Sequence, residues 1–303
     1  MDAMIPKPKF YGFTSLDSCD VFAFPFGGIP LVIRRDFYQV EHVLEWQTMT
    51  DFFSWIGYKK KANELFLDSD PSKSGRVNVC AYWKATWTGE GAKAFPIGQS
   101  ACKVVEQHLQ DEYPSLQHTP HEFVWLEKTL NSPPKANMRA WKNGNERLSV
   151  FNRQSMIRNI AGTRRTRRDI DKAKERYLDL KYLLGARRCM RSPAIAAIMK
   201  EQVNRMGDIL DKIDRELPSD PKDKNNPWVS QSMGALWKEY MEERFRIANS
   251  RTEKDMDEYF EELRDTWSKS PTTGLATKHF AQEIRKLHAE WMKEKRIPWK
   301  KPW

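Results

Sequence analysis

Long apolar runs are missing from this 303-residue chain. The longest, Val21 to Ile33, is interrupted by Pro25, Gly27, Gly28 and Pro30 and ends at Arg34-Arg35. That falls short of the ~20 residues a spanning helix requires, so no transmembrane segment is expected. Cysteine is scarce too. Cys19, Cys80, Cys102 and Cys189 stand far apart with no CxxC pair, which excludes a disulfide framework or zinc knuckle on spacing grounds and predicts reduced, mostly buried thiols. Met1 to Lys7 carries neither the apolar core of a signal peptide nor the Arg/Ser-rich pattern of a transit peptide, so secretion is not expected. The phosphate-cradling G-x-x-x-x-G-K-[ST] loop, the G-x-S-x-G elbow and the kinase signatures do not occur.

What the chain does have is aromatic side chain and charge. Charged residues make up 30% and mean hydropathy is −0.74, values that resemble a disordered chain. Against that stand 12 Trp, 15 Phe and 9 Tyr, whose rings supply far more buriable area than disorder carries. The chain is therefore expected to fold.

The periodicity predicts a mainly α protein of capped amphipathic helices, with a small β element in its N-terminal third and an extended arm at each end. Residues 1–38, rich in Pro, Gly and aromatics, form the N-terminal arm, with one short strand at Ile29–Ile33. Residues 39–134 are a mixed α/β segment. Val40, Val43, Leu44, Phe52, Trp55 and Ile56 recur at helical spacing, whereas Val77, Val79, Ala81 and Trp83 alternate as in a strand. Thr119-Pro120-His121-Glu122 reads as a capping box with proline at the first helical position.

Residues 135–217 form a basic helical segment. Ile170, Ala173, Tyr177, Leu180 and Leu184 share one side of a helix ending at Gly185. A second helix starts at Ser192-Pro193, carries Ile195, Met199, Val203, Met206, Leu210 and Ile213, and stops before Pro218. Residues 218–227 are a polar, proline-bounded linker and the expected domain boundary. The helices of 228–295 follow: one capped by Asn226-Pro227, one starting at Thr252, and one from Leu275 to Lys295. The tail, 296–303, has prolines that forbid a helix.

Few residues suggest chemistry. Gly89-Glu-Gly91-Ala-Lys-Ala94 resembles a dinucleotide fingerprint, but Phe95-Pro96 would break the helix it needs, which leaves a glycine turn. His118, His121 and Glu122 could crowd a metal, yet the capping box already gives Glu122 a structural use. Asp169 and Asp171 fall in the first turn of a helix, where carboxylates complement the dipole. His288 reads as a packed or interfacial histidine. No catalytic group, metal site or cofactor is expected.

Charge is distributed unevenly. Lys135 to Arg191 holds 17 basic residues against five acidic ones, an excess larger than the +10 of the whole chain. Arginine dominates, and its planar fork binds phosphates and carboxylates bidentately. Arg158, Arg164, Arg165, Arg167, Arg168, Arg187, Arg188 and Arg191 are the candidate anion contacts, with anionic lipid head groups, RNA phosphates or an acidic neighbouring subunit as the anion. Interleaved rings are few and no RNA-binding signature occurs, so RNA stands second. Phe24, Phe26, Trp299 and Trp303, in segments with no helix of their own, are the candidate anchors for a protein partner.

In texture, with aromatic arms, capped charged helices and a basic patch, the chain looks like a supernumerary subunit of a mitochondrial complex such as ATP synthase or the respiratory chain. That resemblance implies a non-catalytic structural role among other protein subunits, peripheral to the inner membrane. Structural proteins of the mitochondrial ribosome share the texture and are the alternative.

Overall fold

A computed structural model describes residues 9–15, 18, 20–29, 35–59, 94–131, 167–217, 230–267 and 275–303. They form a mainly α protein with a small β element. The strands are β1 (Phe10–Tyr11), β2 (Tyr38–His42) and β3 (Phe123–Glu127). The helices are α1 (Gln47–Lys59), α2 (Val105–Glu112), α3 (Arg167–Arg191), α4 (Pro193–Glu216), α5 (Met233–Trp267) and α6 (Leu275–Lys295). The strand expected at Val77–Trp83, the glycine turn at 89–91, Arg158, Arg164 and Arg165 lie outside the described residues.

Two compact units are present, each assembled from separated stretches. The first draws on the described residues of Met1–Glu41, Phe123–Ala197 and Arg244–Pro302. Its sheet has the order β1-β3-β2, with β1 parallel to β3 and Phe10 opposite Trp125. β2 and β3 arise where helical spacing predicts otherwise. Tyr38–His42 alternates apolar and polar residues over only five positions and Phe123–Glu127 is a short apolar run, and strand pairing decides both. Thr119 caps no helix. Its hydroxyl accepts from the Ser115 N–H at 3.0 Å, and a single 3-10 turn, Pro120–Glu122, leads directly into β3.

Helix α3 runs on through Gly185, whose lack of a side chain serves close packing and not termination. A Cβ there would lie 2.7 Å from Leu130 Cδ2 and 2.7 Å from Phe13 Cε2. Tyr177 of α3, Trp267 of α5 and Phe280 of α6 meet edge to face, with centroids 5.9 and 5.2 Å apart, and all three are buried.

The second unit draws on the described residues of His42–Glu122 and Ile198–Glu243. Its core sets Phe52 and Trp55 of α1 against Trp237 and Tyr240 of α5, and the Trp237 indole donates to the Val203 carbonyl of α4 at 2.9 Å. The segment 218–227, the expected domain boundary, lies outside the described residues; the helices on either side of it, α4 and α5, both contribute to this unit. Asp214 of α4 joins them. Its carboxylate accepts from the Ser230 hydroxyl (2.6 Å) and the Gln231 and Met233 N–H groups (3.1 and 3.3 Å), while Asp211 accepts from the Gly234 N–H at 2.6 Å. Two acids of one helix thus cap the N-terminus of the next, where free N–H groups and the dipole favour negative charge.

α5 therefore starts at Met233 and not after Pro227, and it continues unbroken through Thr252. The Thr252 hydroxyl donates back to the Ala248 carbonyl at 2.7 Å instead of capping a new helix. Gly185→Ala should cost about 1–3 kcal/mol through overpacking against Phe13 and Leu130. Urea unfolding measures it, and a variant as stable as the parent would mean that α3 does not approach the sheet this closely.

Candidate functional site

Lys181, Arg187, Arg188 and Arg191 occupy the C-terminal half of α3, where the helix is covered on nearly all sides: Lys181 and Arg187 are each only 1% exposed. Taking a cation out of water is costly unless it is paired and hydrogen-bonded, so partners must be supplied. They come from two sources in the first unit. Carboxylates of α5 and α6 provide one. Arg187 reaches Glu253 (3.3 Å) and the Asn249 side-chain oxygen (2.6 Å), and Arg188 donates to Glu290 (3.0 Å) and Glu294 (3.1 Å). Arg191 pairs with Glu294.

The N-terminal arm provides the other. Lys181 donates to the Ser18 carbonyl, Arg188 to the Phe22 carbonyl at 2.6 Å, and the Ser192 hydroxyl to the Phe26 carbonyl. Acceptors four residues apart on the arm thus meet donors that advance along α3 and its end. Rings complete the seat: the Lys181 ammonium lies 4.6 Å from the Phe13 centroid, and the Arg191 guanidinium 5.4 Å from that of Phe26. Trp291 of α6 and Trp299 of the tail add their rings, 5.5 and 5.6 Å from the Arg187 guanidinium.

Three of the expected docking arginines are engaged within the fold. Arg187, Arg188 and Arg191 face the chain's own carboxylates and carbonyls, as the burial of Arg187 and Arg188 requires. Phe24 is buried, with Phe13 at 5.6 Å and Phe26 at 6.4 Å, and Trp299 is buried against Phe245 at 4.7 Å. These rings anchor the arm and the tail to their own protein. Phe26 is 38% exposed and Trp303 is half-buried. Arg167 and Arg168 open α3.

Sequence reasoning missed Lys181, Glu253, Glu290 and Glu294. The acids lie some 60 to 110 residues from their arginines, and no local spacing links them. Burial lowers the pKa of Arg187, opposed by Glu253 and Glu294.

A second buried cluster sits where the arm meets β3. Glu127 accepts from the Phe13 N–H at 3.1 Å and from the Thr129 hydroxyl. Burial raises its carboxyl above the usual value, against the lowering pulls of Thr129, Phe13 and Lys181. Burial also lifts Tyr38 to about 12, with Glu127 contributing, and Tyr11 to about 12, with Cys189 contributing.

In the second unit Glu122, 1% exposed, takes both Arg205 terminal nitrogens at 2.5 and 2.6 Å and the Gln202 amide at 3.0 Å. Arg205 in turn caps the end of α2 through the Glu112 carbonyl at 2.8 Å. His121, Glu122 and Glu201 bring one ligand atom each within 4.8 Å of one another. A cation there would have to share Glu122 with a guanidinium already bound to both of its oxygens. An open groove of about 350 Å³ beside this pair is lined by Glu201, Asn204, Asp208 and Lys212 of α4. Cys102 is exposed and Cys189 buried, both as free thiols.

Comparison of the chain with protein-family models, with curated proteins and with solved structures finds no match.

Glu294→Ala should cost about 3–5 kcal/mol, because it strips a carboxylate from three arginines, of which Arg187 and Arg188 stay buried. Chemical denaturation reads the loss, and a cost below about 1 kcal/mol, the level of an exposed pair, would dismiss the network as a tie. The Glu127 carboxyl has a folded pKa above its usual 4.5, so its proton is held more tightly by the folded chain. The stability it confers is complete below that value and declines as pH climbs toward the folded pKa. Glu127→Gln should flatten that decline in unfolding curves measured between pH 4 and pH 8.

Proposed function

We propose that this protein is a non-catalytic structural subunit of a large assembly, of the kind found in mitochondrial energy-transducing complexes, associated with the membrane from its surface. The observation that carries the reading is the use to which buried charge is put. Lys181, Arg187, Arg188, Glu122, Glu127 and Glu294 are groups that catalysis would recruit elsewhere, and here each binds one piece of backbone or one helix to another. Such ties hold an extended arm and a proline-broken tail in fixed positions, as a part seated among other subunits requires.

Among the described residues no helix is long and apolar enough to cross a membrane, which agrees with a peripheral attachment. The mitochondrial placement draws on the texture of the sequence: aromatic arms, capped charged helices and a basic middle segment. The basic residues not engaged in the network remain the means of contact with an acidic or anionic neighbour. A ribosomal role is the competing outcome.

Native purification of the tagged full chain in mild detergent, followed by mass spectrometry of what accompanies it, tests the proposal. The expected result is stoichiometric co-migration with a defined set of protein subunits, unaffected by ribonuclease. Sedimentation with ribosomal RNA and release at high salt would transfer the chain to the ribosomal reading. An isolated, active monomer would overturn both.

A further inference from the structure

We infer that one face of the first unit, made by arm residues 20–26 and the adjoining side of α6, docks onto an anionic lipid surface. Four large apolar side chains are exposed among the described residues: Val21, Phe26, Met292 and Ile297. Three of them are linked along this face by a continuous chain of contacts. Asp20, next to Val21, is paired with Lys286 at 2.9 Å. One turn further along α6, Glu290 binds Arg188, which also holds the Phe22 carbonyl. A turn beyond that, Glu294 binds Arg191, whose guanidinium lies over Phe26. The Ile297 N–H then closes on the Glu294 carbonyl at 3.1 Å.

Residues 286, 290 and 294 follow at helical i,i+4 spacing, which puts their side chains on one side. Val21, at 37% exposure, Phe26 and Ile297, at 44%, are each joined to this row by one of those contacts. Met292 projects from a different side of α6 by the same spacing and is not part of the face.

The charge most open to solvent on this face is positive. Lys286 and Lys293, 56% and 71% exposed, pair with Asp20 at 2.9 Å and with Glu290 at 2.7 Å, whereas Glu290 is 23% and Glu294 2% exposed. Among the described residues of this face Asp20, at 49%, is the one well-exposed acid, and it is paired with Lys286. Arg296 and Lys300, both exposed, extend the positive margin toward the tail, and the buried Trp299 holds that margin in place.

Exposed lysines alternating with apolar side chains suit a lipid head-group layer better than a protein partner. The cores of protein interfaces are depleted of lysine, whereas lysine stems lie along an apolar boundary and send their charge to phosphates. The inference rests on the subunit reading, since it names the surface against which the subunit sits, but it is tested on the purified chain alone.

The test is co-sedimentation of the full-length protein with vesicles of phosphatidylcholine, with and without about 30% phosphatidylglycerol. Binding to the anionic vesicles should be about tenfold tighter or more, and should weaken as salt is raised. Val21→Ser/Ile297→Ser should reduce that affinity at least about fivefold, and Lys293→Glu/Arg296→Glu should remove the preference for anionic lipid. Circular dichroism verifies that each variant retains its helices. Equal binding to both vesicle types, no binding to either, or full binding by the folded serine variant would each overturn the inference. If the serine variant keeps its vesicle binding but loses its companion subunits in the native purification, the face is a protein interface and the subunit reading stands without the lipid.

Discussion

Burying the cations of α3 is the constraint from which the first unit takes its form. Lys181, Arg187 and Arg188 lie among Leu183, Leu184, Ala186, Cys189 and Met190, all of them buried. A charge in that position is tolerable only if oxygen atoms surround it. Acids come from α5 and α6, and carbonyls from the arm. Placing three cations thereby fixes where two helices and an extended segment run. Hydrophobic burial is non-directional and would accept several registers. The guanidinium forks, each with its set of donors, reduce them to one.

The second unit applies the same device at smaller scale. Glu122 stands at the exit of a 3-10 turn and gathers Gln202 and Arg205 from consecutive turns of α4, while Gln202 also accepts from the Leu44 N–H at 3.0 Å. Asp211 and Asp214 fix the start of α5 in the same manner. In both units a charged side chain reads backbone groups or a helix end, so the irregular stretches are held by atoms every residue possesses. This explains why the arm can be rich in Pro, Gly and Phe and still follow a defined course.

Much of the fold was legible in the sequence where it depends on local pattern. α4 begins at Pro193 as its Ser-Pro start predicts, and Ile195, Met199, Val203, Met206, Leu210 and Ile213 are all buried. α6 spans Leu275–Lys295, and the tail has no helix after its prolines begin. The errors fall where a distant partner overrules a local signal. Thr119 to Glu122 has the residues of a capping box, but strand pairing by Phe123–Glu127 and the pull of Arg205 on Glu122 give it another conformation. Thr252 and Gly185 look like helix boundaries and are interior positions. Thr252 spends its hydroxyl on the preceding turn, and Gly185 makes room for Phe13.

The basic segment shows why charge counts and surface charge differ. The excess of lysine and arginine between residues 135 and 191 is real, yet its C-terminal members point inward, and Glu253, Glu290 and Glu294, counted in another part of the chain, neutralise them. Regional sums treat sequence neighbours as spatial neighbours, which holds within a helix turn and fails between helices. Phe26, an expected anchor in the extended arm, lies against Arg191 with over a third of its surface still outside. A ring pinned from below and open above loses little conformational freedom on contact with a second surface, which lowers the cost of binding. The ion network and the exposed apolar face are thus one feature. The arginines that hold the arm to α6 also hold its apolar side chains in the positions from which they meet whatever lies outside.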